Sequence, residues 1–290
     1  MNTDNIDLHV HSAYSDGTDE PAALIALAAE TGLSAIALTD HDTVAGIDEF
    51  MAAAEEIPGL QAIPGVEISS HDNGREIHLV GLFVDHHSGV LLEFLDGIQR
   101  CRHNRNLQIA EKLDALGYRI DLKSLAVGSN TVVGRPHFAQ ALIEKYEFTT
   151  SGEVFDRLLK RGAPAYVPRY MPPTGEVIRF IHLAGGVAVW AHPIYRDQKE
   201  RSWARRLLRK MVPEKLDAVE AYYSGFSDYQ TQLMLEFAKE FDLAVSGGSD
   251  YHGGRYQEVK LGTGDGNLKV PKNLIPALLQ RSQRYILAGA

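Results

Sequence analysis

Residues 6–17 read Ile6-Asp7-Leu8-His9-Val10-His11-Ser12-Ala13-Tyr14-Ser15-Asp16-Gly17. Apolar Ile6, Leu8 and Val10 alternate with Asp7, His9 and His11. That period of two predicts a strand with two chemically different faces. Histidines at i and i+2 on a strand point the same way. Such a pair suits one divalent cation, although two polar residues on a solvated face give the same pattern.

Working outward, the same form recurs. Pro21–Thr31 reads as a helix, opened by Pro21 and stopped by Gly32. Ala35–Thr39 is a short buried strand, and Ala45–Glu56 is a helix ended before Pro58. Gln61–Ile68 and Glu76–Val84 are strands joined through Asn73-Gly74, a dipeptide that favours a type I′ hairpin turn. Gly186–Ala191, Asp217–Tyr222 and Leu243–Gly247 complete seven strands, with helices near 174–184, 199–211, 226–241 and 271–282. Strands alternating with helices imply a largely parallel sheet, and the length suits a closed barrel. Residues 89–166 show no convincing strand and read as helices at 90–116, 135–146 and 151–161. The expected division is a barrel from 1–98 and 167–290, with a helical insertion domain at 99–166.

Polar clusters mark most strand ends. Leu38 runs into Thr39-Asp40-His41-Asp42, where Asp42 or Thr43 also reads as a cap for the following helix. Glu67 follows Pro64-Gly65-Val66 in an apolar strand, where a carboxylate is costly unless paired or metal-bound. His78 lies on the hairpin partner and gives a buried Glu–His pair as the plain alternative. Ala191-His192-Pro193 ends one strand, and Ser249-Asp250-Tyr251-His252 follows another. Each cluster alone has an ordinary structural explanation. Together they point to one metal centre at a barrel mouth, where active sites of parallel α/β barrels are built. Histidine and carboxylate ligands without thiolates fit manganese, iron or zinc, and their number exceeds the needs of one ion.

Composition sets outer bounds. The 290 residues are 44% hydrophobic and 23% charged, ordinary globular values. No apolar run approaches the roughly 18 residues of a membrane helix. The polar start Met1–Asp7 does not read as a secretory signal. The single Cys101 forms neither an internal disulfide nor a cysteine metal site. A cytoplasmic location is the expectation. Net charge is -9, unevenly spread: residues 1–99 carry -17, residues 100–166 carry +4, and residues 167–290 carry +4. Gly262–Gly266 is not followed by Gly-Lys-Ser/Thr and is not a P-loop, and no Gly-x-Ser-x-Gly elbow occurs.

The ordered set D-L-H-x-H-x-x-x-S-D-G at 7–17, T-D-H-D at 39–42, P-G-V-E at 64–67, His78, A-H-P at 191–193 and S-D-x-H at 249–252 resembles the polymerase-and-histidinol-phosphatase (PHP) family of the amidohydrolase superfamily. Gly134-Arg135-Pro136-His137 within a helical insert resembles its TrpH/YciV-like branch. The resemblance implies a distorted (β/α)7 barrel and two or three divalent ions, with Mn2+ expected and Fe2+ or Zn2+ as alternatives. It implies one ion on His9, His11, Glu67 and Asp250, a second on Glu67, His78 and His192, and a third on Asp16, His41 and His252. The implied activity is hydrolysis of the 3′-phosphate of nucleoside 3′,5′-bisphosphates through a metal-bridging hydroxide, with 5′-to-3′ trimming of short RNA as an extension. His41, Asp250 and His192 are the catalytic candidates, as ligand-shell groups able to help protonate the leaving sugar oxygen.

Substrate contacts are expected from the basic insert, since guanidinium groups match phosphate bidentately. Arg135 and His137 start one helix, and Arg102 and Asn104 lie on another with Arg100 and Arg105. Arg169, Tyr170 and Arg196 follow near strand ends. Three rivals are carried. Histidinol-phosphate hydrolysis needs an acidic or aromatic pocket, which the basic insert opposes. A nucleic-acid-binding module with a residual metal site needs an extended basic stripe, which an excess of +4 per segment does not supply. C–N bond hydrolysis, as in other amidohydrolases, is separated by its product. A nucleotide substrate and no membrane partner are expected.

Overall fold

The computed structural model describes residues 4–125, 132–193 and 200–288, the last six of these by backbone only. Seven strands form one sheet in chain order: β1 (Ile6–Val10), β2 (Ala35–Leu38), β3 (Gln61–Asp72), β4 (Arg75–Leu82), β5 (Val187–Trp190), β6 (Ala218–Tyr223) and β7 (Ala244–Gly248). The ends of the sheet meet beyond β7. His11 donates its backbone N–H to Tyr251 O at 2.9 Å, and Asp250 donates to His9 O at 2.9 Å. The result is a distorted, near-closed (β/α)7 barrel.

The sheet is less parallel than expected. β1, β2 and β3 run parallel, as do β5, β6 and β7, but β4 is antiparallel to both neighbours. The cause is local. Asp72 pairs with Arg75, which leaves a two-residue turn in which Asn73 (φ 48) and Gly74 (φ 79) are both left-handed. That is the type I′ geometry, and a parallel return needs a far longer crossover.

Helices α1 (Pro21–Glu30), α2 (Ile47–Glu55), α3 (Gly89–Ala115), α4 (Arg135–Lys145), α5 (Ser151–Val154), α6 (Thr174–Leu183), α7 (Glu200–Met211), α8 (Asp228–Glu240) and α9 (Ile275–Ala288) surround or extend the sheet. Side chains alternate between two cores. Ile36 and Leu38 of β2 and Ala188 and Trp190 of β5 pack with α1, α6 and α7. Ala35, Ala37, Val187 and Val189 pack with Ile275 and Leu278 of α9. A separate cluster joins Ile109, Leu113, Phe138, Leu142, Val154 and Leu159. Among the described residues no strand lies between β4 and β5. The expected boundary at 98/99 falls inside α3, whose Leu91, Leu95 and Ile98 pack on the barrel while Ile109 and Leu113 pack with α4.

Two local readings change. α2 starts at Ile47 with Gly46 as its cap and no side-chain cap bond, so Asp42 and Thr43 do not cap it. The expected helix at 151–161 is the single turn α5 followed by a π-helical turn, Phe155–Leu159.

Candidate metal centre

Strand ends bring the nine expected ligands together. His9 and His11 come from the end of β1, Asp16 from the loop after it, and His41 from the loop after β2. Glu67 lies in β3 directly opposite Val80, so His78, two residues away on β4, is its diagonal neighbour. His192 follows β5, and Asp250 and His252 follow β7. Glu67 is the hub. Its Oε2 lies 3.3 Å from His9 Nε2, 3.2 Å from His11 Nε2 and 3.1 Å from His41 Nδ1. Its Oε1 lies 2.9 Å from His78 Nδ1 and 3.0 Å from His192 Nε2. Asp250 Oδ1 is 3.1 Å from His11 Nε2, and Asp16 Oδ1 is 3.2 Å from His252 Nε2.

His192 Nε2 and Glu67 Oε1 pair with each other, but many of the other atoms find no partner. His9 Nε2, both nitrogens of His11, Asp16 Oδ1, His41 Nδ1, Glu67 Oε2 and His78 Nδ1 are buried without a hydrogen-bond partner. Orphaned buried polar atoms are costly and rare. Here they belong to groups that bind divalent ions. His9, His11, Glu67 and Asp250 form one compact set, His41, Glu67 and His78 a second, and His11, Asp16, His41 and His252 a third. The donor chemistry fits two or three ions.

The loops are held open by specific contacts. Asp40 accepts hydrogen bonds from Ser12 N at 2.8 Å, Ser12 Oγ at 2.6 Å and Ser15 Oγ at 2.5 Å, which fixes the loop carrying Asp16. Tyr223 donates its hydroxyl to Asp250 Oδ2 at 3.1 Å, leaving Oδ1 toward His11. Asp42 (φ 55), His192 (φ 30) and Asp250 (φ 57) occupy the left-handed region, a cost that clusters at functional sites. Gly248 is required by close approach: a Cβ there would lie 2.4 Å from His9 N.

The electrostatics follow from this crowding. Burial opposes charge on His11, but the nearby carboxylates of Asp250 and Glu67 outweigh it and raise its pKa to about 10. His78 is raised to about 10 in the same way, against burial, by Glu67 and Glu76. His41 goes the other way. Burial, reinforced by His11 and His78, overcomes Glu67 and Asp16 and lowers it to about 4.

Glu220 of β6 belongs to this site and is absent from the sequence expectations. It is buried, and its Oε1 lies 3.1 Å from His9 Nδ1 while Oε2 accepts from His192 N at 2.6 Å. With a proton assigned to Nδ1 by that contact, Nε2 of His9 is left as a free lone pair. The signal was available, since Glu220 stands between Val219 and Ala221 just as Glu67 stands between Val66 and Ile68.

Beside the ligands lies a recess of about 160 Å³ lined by Arg102, Arg105, Arg135 and Arg169 together with Asp16, His41 and His78. Arg102 is buried and paired with Asp42, and Arg169 is paired with Glu76. Arg135 is 3.9 Å from Glu76. Arg105 donates to Val167 O at 3.1 Å. Burial, then the repulsion of Arg135, Arg169 and Arg102, lowers Arg105 to about 9. Four guanidinium groups facing the three carboxylates of Asp16, Asp42 and Glu76 leave one excess positive charge, suited to an anion.

Arg100, Asn104, His137 and Tyr170 do not line this recess. Asn104 is exposed, because α3 presents Arg102, Arg105 and Asn106 on one face and a residue two positions from Arg102 turns away. Arg100 is exposed and pairs with Asp96. His137 is buried, and its Nδ1 accepts from Gly134 N at 3.0 Å, so it closes the first turn of α4. Tyr170 is 55% exposed, on an outer cavity shared with Arg161 and Arg169. Arg196 lies outside the described residues. No described helix is long and apolar enough to cross a membrane.

The chain is similar to a 5′-3′ exoribonuclease of Haemophilus influenzae, 36% identical over 86% of this chain and 90% of that protein. It is also similar to a 3′,5′-nucleoside bisphosphate phosphatase of Chromobacterium violaceum, 32% identical over 86% of this chain and 87% of that protein. An amidohydrolase structure from Chromobacterium violaceum, solved with bound sulfate and no metal, matches with a TM-score of 0.81 at 31% identity, covering 89% of this chain and 90% of that one. The PHP domain model matches residues 7–166, from the first histidine strand through the helical segment. With that match, the shared barrel and a ligand set on six strand ends or faces, the chain belongs to the PHP domain family.

Proposed function

We propose that this chain is a metal-dependent phosphoesterase that removes the 3′-phosphate of nucleoside 3′,5′-bisphosphates, converting pAp to AMP and phosphate. One observation carries the reading: the orphaned ligand set and the four-arginine recess are neighbours that share Asp16, His41 and His78. A substrate with two phosphates suits such a pair. The reacting phosphate meets the ligand set, and the second phosphate enters the recess.

His9, His11, Glu67 and Asp250 would hold one ion, Glu67, His78 and His192 a second, and Asp16, His41 and His252 a third, with Mn2+ as the expected metal. Bound divalent ions supply water acidified toward neutral pH and positive charge against phosphate oxygens. The protein's own groups do the positioning. Arg102, Arg105, Arg135 and Arg169 bind the non-reacting phosphate. Asp42 and Glu76 hold Arg102 and Arg169 in place. A cavity of about 790 Å³, lined by Tyr223, Arg255 and Tyr256 as well as ligands, takes the nucleoside side. His41, Asp250 and His192 all line that cavity and are the candidates for handing a proton to the leaving oxygen. Residues 99–166 act as the insertion that sets substrate choice, since they carry three of the four arginines.

The second reading is 5′-to-3′ trimming of short RNA, favoured by the size of the cavity and by the Haemophilus influenzae relative. Histidinol phosphate is opposed by the arginine recess. The test is phosphate release from pAp and histidinol phosphate, and mononucleotide release from 5′-phosphorylated oligonucleotides, in metal-defined buffer with added Mn2+. The proposal expects pAp to have the highest kcat/KM, with loss of activity on chelation and recovery on adding Mn2+. No phosphate release from pAp under these conditions refutes it.

A further inference from the structure

A second group of ligand-type side chains lies away from the nine. Asp48 stands in the first turn of α2, and His86 and His87 stand in the turn between β4 and α3. His86 Nε2 is 2.9 Å from Asp48 Oδ1, and His87 Nε2 is 3.3 Å from the same oxygen. The two rings have centroids 4.1 Å apart. One donor atom from each residue lies within 4.8 Å of the others.

We propose that Asp48, His86 and His87 form a separate site for a divalent transition metal, with zinc as the occupant. Zinc binds imidazole nitrogen and carboxylate oxygen at about 2.0–2.2 Å in tetrahedral geometry, which sets donor atoms roughly 3.3 Å apart. Both distances to Asp48 Oδ1 are close to that spacing. Two imidazoles and one carboxylate are a donor set for zinc, nickel or copper rather than for magnesium or calcium. Both ring nitrogens converge on a single carboxylate oxygen, as ligands of one ion would.

The site opens on a cavity of about 620 Å³ that also contacts Gln99 and Arg102 of α3. A bound ion ties α2 to the turn that leads into α3, the helix that carries Arg102 to the arginine recess. None of its three residues is a ligand or substrate contact in the phosphoesterase reading, so the two proposals stand or fall separately.

The experiment counts zinc. The full chain is stripped with chelator, dialysed against a buffer holding free Zn2+ at low-micromolar concentration, and analysed for zinc per chain by mass spectrometry. The variants are His87→Ala and the double variant His86→Ala/His87→Ala. His87 is 68% exposed, so its truncation opens no core, and circular dichroism checks the fold of both. The proposal expects the double variant to hold one zinc fewer than the wild type, with unchanged phosphate release from the Mn2+-loaded protein. If it does not fold, the same deficit is expected in His87→Ala. Equal zinc in the wild type and the folded variants overturns the site.

Discussion

Glu220→Gln separates orientation of a ligand from the ligand itself. Glu220 offers two acceptor oxygens, one 3.1 Å from His9 Nδ1 and one accepting from His192 N at 2.6 Å. Glutamine keeps the shape but has one acceptor and one donor group. If its oxygen serves the His192 N–H, its amide N–H₂ faces His9 Nδ1 and forces the proton to Nε2, the atom that faces Glu67 and Asp250. If it serves His9 instead, the His192 backbone loses its buried acceptor. Either way the orientation of one ligand, His9 or His192, is disturbed while all nine ligand residues remain in the chain. Changes of this kind typically cost about 10–100-fold in metal affinity or activity, equivalent to roughly 1.4–2.8 kcal/mol. The assay is phosphate release from pAp titrated with Mn2+ after chelator stripping. The expected result is a midpoint shifted upward about 10–100-fold, with most of kcat recovered at saturating metal. A midpoint equal to that of the wild type, in a folded variant, refutes the assignment of Glu220 as the group that sets the His9 tautomer.

Three further outcomes follow from the same geometry. His41→Ala and Asp250→Ala should each lower kcat/KM by about a hundredfold or more, while denaturant midpoints change little; full activity in metal-defined buffer would remove them from the site. Arg135→Ala takes away one charge-assisted phosphate contact worth roughly 1.5–3 kcal/mol, so KM for pAp should rise about tenfold or more with a smaller change in kcat, and an unchanged KM counts against the recess as the second phosphate site. Gly248→Ala would place a methyl group 2.4 Å from His9 N; overpacking of this kind costs about 1–3 kcal/mol, to be read by urea unfolding, and wild-type stability together with wild-type metal dependence contradicts the close approach.

Much of this protein is legible locally. The alternation at Ile6–Val10 and the apolar runs before His41, His192 and Asp250 mark strands because side chains of a strand alternate faces. Asn73-Gly74 marks the hairpin because both residues tolerate left-handed backbone. The consequence of that turn for the sheet was harder to read. A two-residue turn reverses β4, so two strand pairs of an otherwise parallel sheet are antiparallel.

The opening strand shows where local reading stops. The sequence determined that His9 and His11 share a face and that acids and histidines gather at strand ends, since both follow from periods of two and from the cost of burying charge. Only the tertiary structure decided which partners orient them. Glu220 reaches His9 across 211 positions of chain, and the four arginines meet from α3, the start of α4 and the segment before α6. The same holds for the residues left out of the recess. Asn104 faces away from it because of the rotation of α3 on the barrel, and His137 bonds the backbone of Gly134 and of Ser15 in the loop that carries Asp16. Composition and spacing name the groups able to hold ions and phosphate. The sign and aim of their field come from packing, which closes the sheet through His9, His11 and the residues after β7.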